Sequence, residues 1–435
     1  MFSSKKISEL KTRLDLTKSF NSSQSLFVVI FMVMQFCMPS FVIYSFWFYL
    51  FIAIPTIYIV LKYVMVGQKQ ILSLIWQNND RKLLFLLFAY IIIHSLFFYG
   101  TLQTIRHSIT NLLFVLAMIM FHRNLNQHNM LRFIRLMLWV VVICGIISIA
   151  KYVAFPHENG RLIPIGQNNH AILGANIYAL FSLMGLCLWR RVENISPNYM
   201  PTGELLGVTA SHQNIKDKML VVAAFLVTAI LILLTQSRGP LIAFCCSGAV
   251  GLLMMRHYKI FAASLIIIAI LIADMWFFYY NNYSILPLAE YYEYLLDALH
   301  RKSHRLEIWQ LAWQLIARQP VFGYGMQATF PYGYAGVNPH NLFISTWYYT
   351  GIMGFVLLLA IVMNALVNLY KNHSQDIAFI GFLLLIHGVI ACLTDQGQLV
   401  KTPSPLWFIF WWPIANSCAI SYQNTIVEKT IVEKN

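Results

Sequence analysis

Apolar residues in this chain arrive in long uninterrupted runs, separated by short polar and mostly basic stretches. That is neither the strict alternation of a half-buried strand nor the one-sided stripe of a soluble helix. A helix needs roughly 20 largely apolar residues to cross a bilayer. The runs accordingly predict spans near 25–40, 43–62, 83–99, 106–121, 134–152, 170–189, 218–235, 239–255, 258–278, 342–369, 376–393 and 404–421. Pro39 suits a turn between the crowded first pair. The expected fold class is all-α, a polytopic membrane protein of about twelve transmembrane helices with one ordered helical outer loop. Residues 1–24 read as an uncleaved cytoplasmic arm, since they lack the short apolar core and small-residue exit of a signal peptide. Helices one to nine occupy 25–278, a large outer loop 279–341, helices ten to twelve 342–421 and a cytoplasmic tail 422–435. The tandem repeat of Thr425–Lys429 by Thr430–Lys434 is expected to be disordered. Within the outer loop, Leu306, Ile308, Trp309, Leu311, Ala312, Leu315 and Ile316 recur at helical spacing, which predicts a helix lying near the membrane surface.

Composition agrees and excludes a soluble enzyme on an anchor. Charged residues make up 11% of the 435-residue chain, against about 25% in soluble domains. The apolar set reaches 59% and the mean hydropathy is +0.65. The net charge of +14 points to no nucleic acid, because the basic residues sit in short loops rather than on one soluble face; membrane lipid is the implied surrounding. The seven cysteines (Cys37, Cys144, Cys187, Cys245, Cys246, Cys392 and Cys418) all fall in apolar runs without metal or disulfide spacing. They are expected to be small buried hydrophobes.

Placing the N-terminus inside assigns 21 of the 30 Lys and Arg residues to inner loops, as the positive-inside bias requires. The nine left outside are Arg106, Lys151, Arg161, Arg238, Arg301, Lys302, Arg305, Arg318 and Lys401. They run against that bias, so another demand is expected to hold them there. Four lie in 279–341, the one long outer loop; long loops commonly carry function, and the active face is expected to be external or periplasmic.

Three motifs on that face offer chemistry. Thr235-Gln236-Ser237-Arg238-Gly239-Pro240 puts an arginine on a tight hairpin, where it either snorkels to lipid phosphates or holds a phosphate with its guanidinium fork. Arg305-Leu306-Glu307-Ile308-Trp309 is followed by Pro320-Val321-Phe322-Gly323-Tyr324-Gly325. Pro320 stops the helix, and Gly323 and Gly325 either shape that stop or cradle phosphate with backbone amides. Asn338-Pro339-His340-Asn341 opens the tenth span, and His340 is the obvious general base on this face. Gly351 and Gly354 beyond it suit close helix packing. His300 and His304, with Glu290, Glu293 and Asp297, have metal-ligand spacing on a helix, but the interleaved Arg301, Lys302 and Arg305 repel a cation. That stretch reads as a solvated mixed-charge face, and neither metal nor cofactor is expected. His94 and His387 lie inside spans and read as hydrogen-bonded packing residues.

Taken in order, these motifs resemble the O-antigen ligase and polymerase superfamily of bacterial envelope glycosyltransferases. The pattern is the outer Arg238, then R-x-x-x-W with P-x-x-G-x-G, then H-N and G-x-x-G; Arg161…Gly166-Gln167-Asn168-Asn169-His170 looks like that family's Asn-rich outer loop. The likeness covers roughly 160–415. Modest length, span number and the lack of a large C-terminal periplasmic domain look most like the ligase branch. Asp395 stands where such ligases carry an acidic residue before the last span. The resemblance implies transfer of a glycan from an undecaprenyl-diphosphate carrier to a sugar hydroxyl of lipid A-core, at the periplasmic face of the bacterial inner membrane. Arg238 and Arg305 would neutralise the leaving diphosphate without metal, and His340 would take the hydroxyl proton. Arg161, Asn168, Asn169, Trp309, Gly323, Gly325, Asn341, Asp395 and Lys401 would then line the substrates. The same motifs suit an O-antigen polymerase. A twelve-helix transporter is the reading from another class: it needs critical residues at the midplane, whereas surface chemistry needs them at the outer rim.

Overall fold

The computed structural model describes residues 25–36, 41–65, 79–98, 101–155, 161–166, 170–194, 204–281, 304–333, 338–401, 404 and 406–420. Among the described residues every regular element is helical and none is a strand. This is the bilayer's demand: a backbone without water must satisfy its N–H and C=O groups within its own segment.

In chain order these are α1 (Ser25–Phe36) and α2 (Phe41–Phe48, passing through a π-helical turn, Tyr49–Ala53, into Ile54–Met65). Then come α3 (Asn79–Phe97), α4 (Leu102–Asn124), α5 (Gln127–Ala154) and α6 (Ala171–Leu183, continuing as Gly185–Asn194). They are followed by α7 (Glu204–Leu234), α8 (Arg238–Met254), α9 (Tyr258–Asn281) and α10 (Arg305–Arg318). The last are α11 (Leu342–Lys371), α12 (Asp376–Asp395) and α13 (406–420, π-helical over Trp407–Trp411). Among the described residues, six stretches are long and apolar enough to cross a membrane: Leu102–Arg123, Gln127–Ala154, Ala171–Glu193, Gln213–Leu234, Leu342–Lys371 and Asp376–Asp395. Ser25–Phe36, Ser45–Leu61 and Arg238–Met254 are shorter apolar helices. The helix expected from the periodicity of 304–318 is present as α10.

Packing is densest where α8 meets α12, α7 meets α5, and α11 meets α3 and α12. Lipid tails are as apolar as leucine, so these contacts rest on close fit and polar pairing rather than on escape from water. At the centre, α13 is wholly buried over Trp407–Trp412. Its rings meet those of Phe48, Phe88, Phe114 and Phe181 at centroid distances of 4.8, 5.1, 5.1 and 5.5 Å. The Trp412 indole donates to His122 Nε2 at 2.6 Å.

Three expectations are corrected. The connection left between the spans expected at 170–189 and 218–235 is helical over 190–194 and 204–217, where its charges find partners at one end of the bundle. There Asp217 takes Arg135 at 2.8 Å and Asp376 takes Arg191 at 2.5 Å. Gly351 does not pack as a plain helical glycine. It interrupts α11 at φ 70°, ψ −173°, a conformation that glycine alone adopts cheaply. Cys245 and Cys246 lie on an exposed face of α8, whereas Cys144, Cys187, Cys392 and Cys418 are buried as expected. Pro39 and Cys37, like both terminal segments, lie outside the described residues.

Candidate active site

Two asparagines build the turn that presents His340. Asn338 Oδ1 accepts the His340 amide at 2.9 Å. Asn341, the N-cap of α11, accepts the amides of Phe343 and Ile344 at 3.0 and 3.1 Å. These contacts hold His340 at φ +50°, a left-handed conformation costing a non-glycine residue on the order of 1 kcal/mol. The Trp309 indole donates to Pro339 O at 2.9 Å and so ties α10 to the turn. Trp309 is thereby a brace of the histidine, a role its motif does not reveal.

Opposite the turn stands Asp395, the last residue of α12. Its Oδ1 lies 3.6 Å from His340 Nδ1 and 3.7 Å from Arg305 Nη2. These are ion-pair separations, longer than direct hydrogen bonds. The carboxylate is 9% exposed, the imidazole 38% and the guanidinium 26%, so a sheltered anion orients two accessible groups. Arg305 opens α10, whose first turn is steadied from behind: Glu307 Oε2 accepts from Tyr332 Oη at 2.8 Å and contacts His304 Nδ1 at 3.1 Å. The bond to Glu307 raises the Tyr332 pKa above the ordinary phenol value.

Arg238 arrives from a fourth stretch. It opens α8 and is exposed. A Cβ on the adjacent Gly239 would strike Thr394 Oγ1, and one on Gly397 would strike the Asn338 side chain. Residues 394–397 are therefore wedged between the Arg238 hairpin and the His340 turn, which sets that hairpin beside the segment bearing Asp395. Arg161 lies behind the hairpin: its Nε donates to Thr235 O at 3.0 Å and its Nη2 to Ser237 Oγ at 3.3 Å. It braces the loop that carries Arg238.

The glycine loop is committed elsewhere. The amides of Gly323, Tyr324 and Gly325 donate to Gln319 O, Tyr348 O and Tyr349 O at 3.2, 2.9 and 2.8 Å. Two of these acceptors are carbonyls set free by the break of α11 at Gly351. In return Ile352 N donates to Pro320 O at 2.9 Å. On α3, Tyr90 Oη donates to Thr350 O and His94 Nε2 lies against Phe322 O, each at 2.6 Å. Of the two readings, phosphate cradle or shaped stop, Gly323 and Gly325 follow the second, since their amides are engaged. Tyr90 is a site-supporting residue that its sequence surroundings do not signal. Lys401 falls against α4, its carbonyl accepting from Asn111 Nδ2 at 2.8 Å. Asn168, Asn169, His300, Glu290, Glu293 and Asp297 lie outside the described residues. Among those described, no group of three His, Cys, Asp or Glu side chains is arranged to hold a metal.

Residues 223–359 match the model of a family described as O-Antigen ligase. The chain is also 30% identical over 117 residues to an O-antigen ligase of Pseudomonas aeruginosa. That alignment covers 26% of this chain and 29% of the relative's own length. The family window contains Arg238, Arg305, Trp309, Gly323, Gly325, His340 and Asn341; Arg161, Asp395 and Lys401 fall outside it. Over these segments, and with a helical bundle that carries the same motifs, the chain is similar to the O-antigen ligases.

Proposed function

We propose that the chain is an O-antigen ligase of the bacterial inner membrane. It crosses about twelve times and works at the periplasmic face. It moves glycan from an undecaprenyl-diphosphate-linked donor to a sugar hydroxyl of lipid A-core, with no metal and with inversion. The observation that carries this reading is the sharing of one Asp395 oxygen by His340 and Arg305, residues far apart in the chain.

With the carboxylate facing Nδ1, the other imidazole nitrogen, Nε2, is the one that receives the proton. The acceptor hydroxyl loses its proton to His340 as its oxygen bonds to the anomeric carbon. The bond from that carbon to the diphosphate oxygen breaks, and undecaprenyl diphosphate leaves with the electron pair. Arg305 and Arg238 meet the charge that grows on it. One displacement from the far side inverts the centre. The residues concerned stand at helix ends (Arg238 first in α8, Arg305 first in α10, Asp395 last in α12) and not at mid-depth, which favours surface chemistry over transport. The test is a strain lacking the gene. The ligase reading expects lipid-linked polymer to accumulate beside bare core; core carrying a single repeat unit would mark a polymerase and overturn it.

A further inference from the structure

Arg106 and Lys401 are among the outward-assigned basic residues that the site above does not use. Arg106 lies in the second turn of α4, and Lys401 lies in the segment that leaves Asp395. The fold brings them together. Asn111 Nδ2 donates both to His107 O at 2.6 Å and to Lys401 O at 2.8 Å, which staples the Lys401 segment to α4. One turn earlier, Thr104 Oγ1 accepts from Gln327 Nε2 at 2.9 Å, joining the same face of α4 to the loop after α10. Both cationic groups act on the His107 ring between them.

Three features mark this as more than a place where cations reach for solvent. Among the described residues, neither Arg106 nor Lys401 forms an ion pair with a carboxylate. His107 is only 8% exposed, yet its Nε2 has no hydrogen-bond partner. A buried polar atom left without a partner costs about 1–3 kcal/mol, so a ligand that supplies one is favoured. Finally, Leu102, one turn before Arg106, is 85% exposed, which puts the cluster at an apolar surface where a lipid can reach it.

We propose that Arg106, His107 and Lys401 form a second anion site, distinct from the Arg238/Arg305 pair, that takes a phosphate monoester carried on the sugar of a membrane glycolipid. A guanidinium fork, an ammonium and an imidazole nitrogen suit a phosphate dianion, whose oxygens accept several charge-assisted bonds at once. On the ligase reading, which the identity of the lipid rests on, this glycolipid is the acceptor. The site then anchors it by a group that takes no part in the reaction, while the Lys401 segment leads back to Asp395.

The experiment is a binding measurement on the full chain in phosphatidylcholine nanodiscs. The probes are a sugar-phosphorylated lipid A, the same lipid after phosphatase treatment, and inorganic phosphate as competitor. Wild type should hold the phosphorylated lipid about tenfold more tightly than the treated one, the worth of one or two charge-assisted bonds. Arg106→Ala/Lys401→Ala should lose that preference, His107→Gln should weaken it, and Arg238→Ala/Arg305→Ala should keep it. An unchanged preference in the Arg106/Lys401 double variant overturns the proposal. So does its loss in the Arg238/Arg305 variant, which would mean that the lipid binds there. Competition by millimolar inorganic phosphate without any preference between the two lipids would reveal a free-phosphate site and also overturn it. Failure of wild type to transfer glycan would remove the ligase reading but leave these binding outcomes standing.

Discussion

At the scale of single residues, the site is a division of labour around one sheltered carboxylate. His340 and Arg305 are accessible, whereas Asp395 is nearly closed off, so the two open groups are the ones a substrate can reach and the carboxylate arranges them. His340→Ala should lower transfer about 10²–10⁴-fold near neutral pH, the usual contribution of general base catalysis. The loss should shrink as pH rises, because the hydroxyl then sheds its proton more readily. Initial rates of the reconstituted reaction across pH check this, and a wild-type rate in the variant ends the general-base role. Arginine variants should behave otherwise. Arg305→Lys and Arg238→Lys keep a charge but lose the planar fork, and each should reduce turnover about 10²–10³-fold with no recovery at high pH. The same assay decides, with kcat expected to fall and the donor KM to stay close to wild type. Arg238 and Arg305 are singled out by their motifs, since an arginine on the wrong side of the positive-inside bias needs a reason, and His340 by its place beside them. Arg161 and Trp309 were expected to touch substrate, yet the bonds seen here are to Thr235, Ser237 and Pro339. Residue type announces a donor without saying which acceptor it will meet.

At the scale of elements, the decisive feature is the interruption of α11. Opening the helix at Gly351 releases the carbonyls of Tyr348, Tyr349 and Thr350, and the glycine loop and Tyr90 take them up. The result is a rigid mount between α10 and α11, and it is α10 that bears Arg305. Glycine is required at both faces of this joint. A Cβ on Gly323 would lie 2.6 Å from Gly351 N and Tyr348 O, and one on Gly351 would collide with Val321 O, both at positive φ. Gly351→Ala and Gly323→Ala should each cost about 2–4 kcal/mol, combining left-handed strain with overpacking. Gly248→Ala, with nothing within 4 Å of the added atom, should be neutral or slightly stabilising. Melting temperatures in detergent compare the three; equal values would refute the joint. Sequence alone suggests helix packing for Gly351 and Gly354, because two small residues in an apolar run carry the same signature whether a helix passes them intact or breaks there. Only the loop that arrives from 320–325 distinguishes the cases.

At the scale of the whole molecule, polar contacts are sorted by end. Arg135–Asp217 and Arg191–Asp376 pair at one end of the bundle, while Arg238, Arg305, His340 and Asp395 gather at the other. A reporter fused after Lys371 should therefore read cytoplasmic and one inserted near Tyr332 periplasmic; the reverse pattern would undo the assignment of the active face. Since two guanidinium groups supply the positive charge proposed to meet the leaving diphosphate, exhaustive chelation should leave transfer intact. Activity lost to a chelator and restored by one divalent ion would remove the arginine account. The membrane class, the all-helical architecture and the existence of helix α10 were determined by sequence alone, because a bilayer imposes its rule on every residue of a span independently of its distant neighbours. The meeting of residues 305, 340 and 395, with the Arg238 hairpin set against Thr394, was decided by tertiary structure. It depends on Gly239 against Thr394, on Gly397 against Asn338 and on the break at Gly351. Each is a steric fit between segments remote in the chain, and local periodicity carries no information about such fits.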